Sequence, residues 1–93
     1  KPRYFIYSMN IKITPLAAKK IKLRKITTNM LNETIKSPDQ TVKGYGGRTI
    51  KQKIYNVNNK DKLLRVIYET EGKDTIVVTA YLTSQIKKYM SKK

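Results

Sequence analysis

The chain contains neither cysteine nor histidine, and only six of its residues are Asp or Glu. Without cysteine no disulfide can staple the fold and no thiolate can act as nucleophile. Without histidine the usual general base near neutral pH is missing, and a metal site would have to be assembled from scarce carboxylates. The sequence therefore predicts no metal and no cofactor. No apolar run approaches the roughly eighteen residues a membrane-spanning helix needs, and the N-terminus lacks the apolar core of a signal peptide. The expectation is a soluble, cytoplasmic protein with no membrane partner. Ninety-three residues make one domain, 1–93, in which folding buries only roughly 60 to 65% of the unfolded surface.

What the chain does have is positive charge. Twenty-one Lys and Arg against six acids give +15, and Lys1, Arg3, Lys12, Lys19, Lys20, Lys22, Arg24 and Lys25 all precede the first acid, Glu33. So one-sided a distribution asks for a polyanionic partner, most simply RNA or DNA. The alternative is a lysine-rich composition that merely solvates the surface.

The segment KPRYFIYSMNIKIT alternates around Phe5, Tyr7, Ile11 and Ile13 and reads as one strand or two short ones. Met9 reads equally as a start residue, with residues 1–8 an upstream extension or a remnant of expression. Thr14-Pro15 opens a helix, threonine as N-cap and proline at the first helical position, running to about Lys25. Thr27 or Thr28 caps a second helix, which Ser37-Pro38-Asp39 stops. From Thr41 the period changes to two, with a glycine-rich turn at Gly44–Gly47, a turn at Asn58-Asn59 and another at Glu71-Gly72. TIVVTAYL is nearly all apolar and is expected to be central. Thr83 or Ser84 then caps a closing helix from Gln85 to about Met90. The expected fold is α+β, in the order β-α-α-β-β-β-α: a three- or four-stranded, mostly antiparallel sheet with two N-terminal helices packed on it.

Several cations fall in places that ask for an explanation. Stepping about 100° per residue from Leu16, Leu23 lies near 340°, Ala17 and Ile21 near 100° and 140°, and Lys20 and Arg24 near 40° and 80°. Both cations then lie within the apolar arc, where they either reach a partly buried anion or extend past the sheet edge to water. Arg48 follows two glycines, a turn that lets backbone N–H groups and a guanidinium fork approach a phosphate, or else a plain hairpin with a surface arginine. Arg65, in LLRVIYE, shares its face with Leu63 and Ile67; it reaches a groove or pairs with Glu69. Tyr81 ends the apolar strand, and Thr83 and Ser84 sit where the closing helix would offer N–H groups to an anion; the plainer reading is a simple N-cap.

The stretches TPLAAKKIKLRKI, SPDQTVKGYGGR and KLLRVIYETEGKDTIVVTAYLTSQIKKY together resemble a small branch of the RelE-type toxins, within the barnase, EndoU, colicin and RelE group of ribonuclease folds. The resemblance covers residues 11–89 and is most specific in the last thirty of them. It implies a compact endoribonuclease toxin of the mRNA-interferase type, acting on RNA that includes ribosome-associated mRNA and neutralised by an acidic antitoxin. Carried over by position, it supports Arg24, Arg48, Arg65, Tyr81, Thr83 and Ser84, with Tyr89 similar to the C-terminal tyrosine of such toxins. With Lys20 these make the expected catalytic set, and Lys19, Lys51, Lys87, Lys88 and Tyr89 the expected RNA contacts.

One departure matters. Where the family reads Thr-Pro-His-Ala, this chain reads Thr14-Pro15-Leu16-Ala17, so Leu16 occupies the histidine position. A different base, an attenuated relative or an engineered inactivation would each account for it. The mechanism expected of an active form is attack by the ribose 2′-OH on the adjacent phosphate. The arginines and Lys20 would stabilise the added negative charge, and a Tyr, Lys or hydroxyl group would manage protons. The alternatives are a non-catalytic RNA- or DNA-binding module and an interaction subunit whose basic groove receives an acidic segment.

Overall fold

The computed structural model describes residues 5–8 and 10–90; Met9, and with it the question of an upstream extension, lies outside the described residues. Strands β1 (Phe5–Ser8) and β2 (Ile11–Ile13) come first, then helices α1 (Pro15–Leu23) and α2 (Thr28–Lys36). Strands β3 (Gln40–Lys43), β4 (Thr49–Val57), β5 (Lys60–Glu71) and β6 (Asp74–Thr83) follow, and a one-turn helix, α3 (Ile86–Tyr89), closes the chain. The strands form one six-stranded sheet in the order β1-β2-β6-β5-β4-β3, antiparallel except where β2 runs parallel to β6.

The fold is α+β as expected, with more strands than expected. The opening segment makes two strands, and the stretch read as one strand from Thr41 is split by a tight turn into β3 and β4. That turn holds Gly46 at φ 63° and Gly47 at φ 79°, left-handed backbone that glycine adopts without a Cβ clash. The apolar strand β6 is central, between β2 and β5.

Local chemistry explains the helix boundaries. The Thr14 hydroxyl accepts from the Ala17 N–H at 3.1 Å, and Thr27, not Thr28, caps α2 by accepting from the Met30 N–H. Lys36 is the last residue of α2, before Ser37-Pro38. Helix α1 ends two residues earlier than expected: Arg24 is its C-cap and Lys25 turns out of it at φ 58°.

Both helices pack on one face of the sheet over Ile11, Ile13, Leu64, Val66, Val77 and Ala80. The buried side of α1 differs from the expected arc. Ala17 is fully buried and Ala18 and Ile21 pack on the core, while Leu16 and Leu23 stand 59% and 72% exposed. Small side chains at 17 and 18 let the helix backbone approach β6 closely, where Ala80 is also small, and this close approach rotates the larger leucines outward. A register shift between Ile67 and Tyr68, opposite Thr79 and Val77, leaves Val78 as an extra residue in β6, a bulge that sharpens the twist beside the start of α1.

Candidate nucleic-acid interface

Cross-strand register decides which side chains meet. Gln52 pairs with Arg65 across β4 and β5, and Arg65 with Tyr81 across β5 and β6. The three form one row on the face away from α1 and α2, because their neighbours Leu64 and Val66 point into the helix-side core. Arg65 is 8% exposed. Its Nε donates to Gln52 Oε1 at 2.8 Å and its Nη1 to the Tyr81 hydroxyl at 2.6 Å. The Tyr89 ring, carried back by α3, lies 4.0 Å from the guanidinium carbon. Gln52 Nε2 fixes that helix by donating to the Tyr89 carbonyl at 3.0 Å and also donates to Gln40 Oε1 at 2.8 Å.

No carboxylate pairs with Arg65 among the described residues. The expected alternative partner, Glu69, instead binds Arg48 Nε at 2.8 Å. Arg65 is thus a buried cation held by neutral acceptors and a π face, and Tyr89 roofs it. Gln52, the residue that organises this row, was not a candidate from the sequence. Its signal was there: a glutamine between Ile50 and Ile54 at the same strand parity.

The other expected site residues do not join this row. Leu16, Lys20 and Arg48 line a separate cavity of about 630 Å³ beside the N-terminal end of α1, floored by Val78 and Thr79 of the bulge. Arg24 points elsewhere: its Nη1 donates to the Ala80 carbonyl at 2.8 Å. With Lys25, Lys60, Lys62 and Asn58 it lines a third region, a cavity of about 480 Å³ beyond the C-terminal end of α1. The stripe Leu16-Lys20-Arg24 therefore divides between two ends of the helix, and the seven residues expected to act together stand in separate places.

Of the two readings of the glycine turn, a phosphate-approaching turn or a plain hairpin with a surface arginine, the bonds favour the hairpin: the Gly44 N–H donates to the Arg48 carbonyl and the Arg48 N–H to that of Tyr45. Neither Thr83 nor Ser84 caps a helix that could bind an anion. Helix α3 is one turn with Gln85 as N-cap, the Thr83 hydroxyl accepts from the Gln85 N–H, and the Ser84 carbonyl accepts from the Ile86 N–H. Those N–H groups are used locally.

Of the expected RNA contacts, Lys19, Lys87 and Lys88 are exposed. Lys88 Nζ lies 5.2 Å from the Tyr89 ring centroid. Lys51 is on the helix side of the sheet, its Nζ donating to the Ile35 carbonyl at 2.7 Å and lying over the Tyr68 ring; it caps the end of α2. Helix α1 carries no acid; its Lys19 and Lys22 are exposed, and Lys22 lines a separate cavity with Ala18, Ile21 and Ile26 on the flank of α1 that faces α2.

The proton affinity of the Tyr55 hydroxyl is raised above its ordinary value. Burial raises it most; hydrogen bonding and the charge of Glu33 raise it further, and its bond with Thr34 works the other way. Its one hydroxyl proton lies within reach of two acceptors, Glu33 Oε1 at 2.9 Å and the Met30 carbonyl at 3.1 Å, so Tyr55 ties β4 to α2 rather than serving a site. No helix among the described residues is long and apolar enough to cross a membrane. No protein-family model, curated protein or solved structure matches the chain.

Proposed function

We propose that this chain binds RNA along α1, using the cations of both end cavities and the exposed lysines of the helix, Lys19 and Lys22. The observation that carries this reading is the acid-free helix PLAAKKIKL with Lys20 and Arg48 in the cavity at its start and Arg24 and Lys25 in the cavity at its end. A nine-residue helix is about 13 Å long, enough to span successive phosphates of a single strand. Arg48 is held by Glu69 only in an exposed pair, worth at most about 1 kcal/mol, so a phosphate can compete for it. Arg65 takes a different role. Buried under Tyr89, it positions α3 and with it Lys87 and Lys88.

RNA is the polyanion that the resemblance to RelE-type toxins names, and an acidic antitoxin segment is the protein partner that the same resemblance names. Both would be drawn to the same track by electrostatic steering. The test is binding of a mixed-sequence RNA in EDTA by the protein and by Lys19→Ala/Lys22→Ala. The double variant should bind several-fold more weakly; equal affinity would sink the assignment of α1 as the track.

A second reading, an attenuated ribonuclease of the same toxin type, is favoured by one observation: Leu16, at the family's histidine position, shares its cavity with Lys20 and Arg48. A positioned general base contributes roughly 10²- to 10⁴-fold, so Leu16→His should raise cleavage at least about tenfold and leave 2′,3′-cyclic phosphate ends. Leu16→His/Arg48→Ala should lose most of that gain. If Leu16→His folds and binds RNA as before without added cleavage, the nuclease reading fails and the binding reading stands.

A further inference from the structure

The cavity beyond the C-terminal end of α1 is lined by four cations, Arg24, Lys25, Lys60 and Lys62, and by no acid. None of the four is ion-paired among the described residues. Two of them, Lys60 and Lys62, lie in strand β5 and two, Arg24 and Lys25, at the end of α1. Arg24 is anchored at Ala80, leaving the other N–H groups of its guanidinium without a protein acceptor among the described residues. Lys25 sits in left-handed backbone at φ 58°, a conformation helix ends usually give to glycine. Lys60 and Lys62 share one strand parity and stand opposite Val57 and Tyr55, on the helix side of the sheet. The Asn58-Asn59 turn, at φ 53° and 65°, fixes that hairpin in the tight form that matches strand twist. Asp61, of the opposite parity, faces away and accepts from Asn56 Nδ2 at 3.2 Å.

The negative end of the α1 dipole faces this cavity, but part of its last turn is already satisfied. The Arg24, Lys25 and Ile26 N–H groups donate to the carbonyls of Lys20, Lys22 and Ile21, so these last-turn carbonyls are already satisfied. Four like charges around one cavity repel one another; Arg24, Lys25 and Lys60 are exposed, so water and salt screen part of that repulsion, and a ligand of concentrated negative charge would relieve the rest. Its volume, about 480 Å³, falls within the roughly 300 to 1,000 Å³ of ligand pockets. An internal RNA phosphate brings one charge per nucleotide, too dilute to meet four cations at once.

We infer that this cavity is a site for contiguous phosphates, the chemistry shared by the 5′-triphosphate end of an RNA and by a free polyphosphate. In its RNA form the inference rests on the RNA-binding reading above. Lysine and arginine would meet the phosphate oxygens through charge-assisted hydrogen bonds, and the Asn58 amide would add a neutral donor.

The experiment compares one short RNA with a 5′-triphosphate and with a 5′-hydroxyl, and separately titrates tripolyphosphate. The variants are Lys60→Ala/Lys62→Ala and, as a charge-matched control outside both cavities, Lys43→Ala/Lys73→Ala. The expected result is at least about tenfold tighter binding of the triphosphate RNA, the equivalent of one charge-assisted hydrogen bond. Lys60→Ala/Lys62→Ala should erase the preference, while the control weakens both RNAs alike. Tripolyphosphate binding that depends on Lys60 and Lys62, without a preference between the RNAs, assigns the site to a free polyphosphate. Equal affinity for the two RNAs, with no tripolyphosphate binding that depends on these lysines, overturns the site and leaves RNA binding intact. Failure to bind either RNA overturns the proposed function instead, and tripolyphosphate then decides this cavity alone.

Discussion

Replacing Gln52 by leucine tests how Arg65 is held. The glutamine is fully buried, accepts from Arg65 Nε and donates to Gln40 and to the Tyr89 carbonyl. Gln52→Leu leaves a buried guanidinium N–H without its acceptor, about 1.5 to 3 kcal/mol for a charged donor, and removes two neutral bonds worth about 1 kcal/mol each. The expected loss is about 3 to 5 kcal/mol. Arg65→Met removes a buried cation that has no carboxylate, which is favourable, but it abandons Gln52, Tyr81 and the Tyr89 ring; its cost should be about 2 to 3 kcal/mol. In the double variant leucine faces methionine across the strands and no charge is left unpaired, so it should be no less stable than Gln52→Leu alone. The cycle, read by urea denaturation, should give a coupling of at least about 1.5 kcal/mol. With a slope of about 1 kcal/mol/M that is about 1.5 M in midpoint. Single effects that add to within about 0.5 kcal/mol would refute the claim that Arg65 is a counterion-free cation dependent on Gln52.

The orientation of α1 predicts opposite outcomes at adjacent residues: Leu16→Ser should change stability by less than about 0.5 kcal/mol, and Ala17→Leu should lose about 1 to 3 kcal/mol by overpacking against β6, both measurable by thermal melts. Lys25→Gly should stabilise the fold by about 1 kcal/mol by relieving its left-handed backbone, while weakening any ligand of the cavity it lines. Tyr55 gives a pH signature. Its proton is held more tightly in the folded chain than in the unfolded one, where the ordinary value is 10.0. Its contribution is therefore whole below pH 10 and is lost as pH climbs through the raised folded value. Tyr55→Phe should cost about 1 kcal/mol at neutral pH, and the gap to the unmodified protein should narrow above pH 10 in stability measured against pH.

Punctuation was the most legible part of the sequence. Thr14-Pro15, Thr27, Ser37-Pro38, Asn58-Asn59 and Gly72 fix helix starts, a helix stop and two hairpin turns through their own backbone preferences, which act over a few residues. The apolar run of β6 marked the centre of the sheet for the same local reason. What escaped depends on partners distant in the chain. The buried side of α1 is decided by how closely Ala17 can approach β6, so a wheel centred on the larger leucines points the wrong way. Arg65 and Glu69 share a parity, but Glu69 lies nearer the strand end where Arg48 comes within 2.8 Å. The row Gln52-Arg65-Tyr81 exists only once strand register is set. The division of Lys20 from Arg24 rests on a long-range contact, the Arg24 guanidinium donating to the Ala80 carbonyl of β6.

The measurement closest to the central claim is RNA affinity as a function of salt in EDTA, for the protein and for Lys19→Ala/Lys22→Ala. Phosphate contacts release counterions, so log K should fall linearly with log salt, by about 0.7 per phosphate neutralised on a single strand. Contacts at both cavities and along α1 predict a slope of about −3 to −4, shallower by about 1.4 in the double variant. A flat salt response, or the same slope in both proteins, would contradict binding along α1.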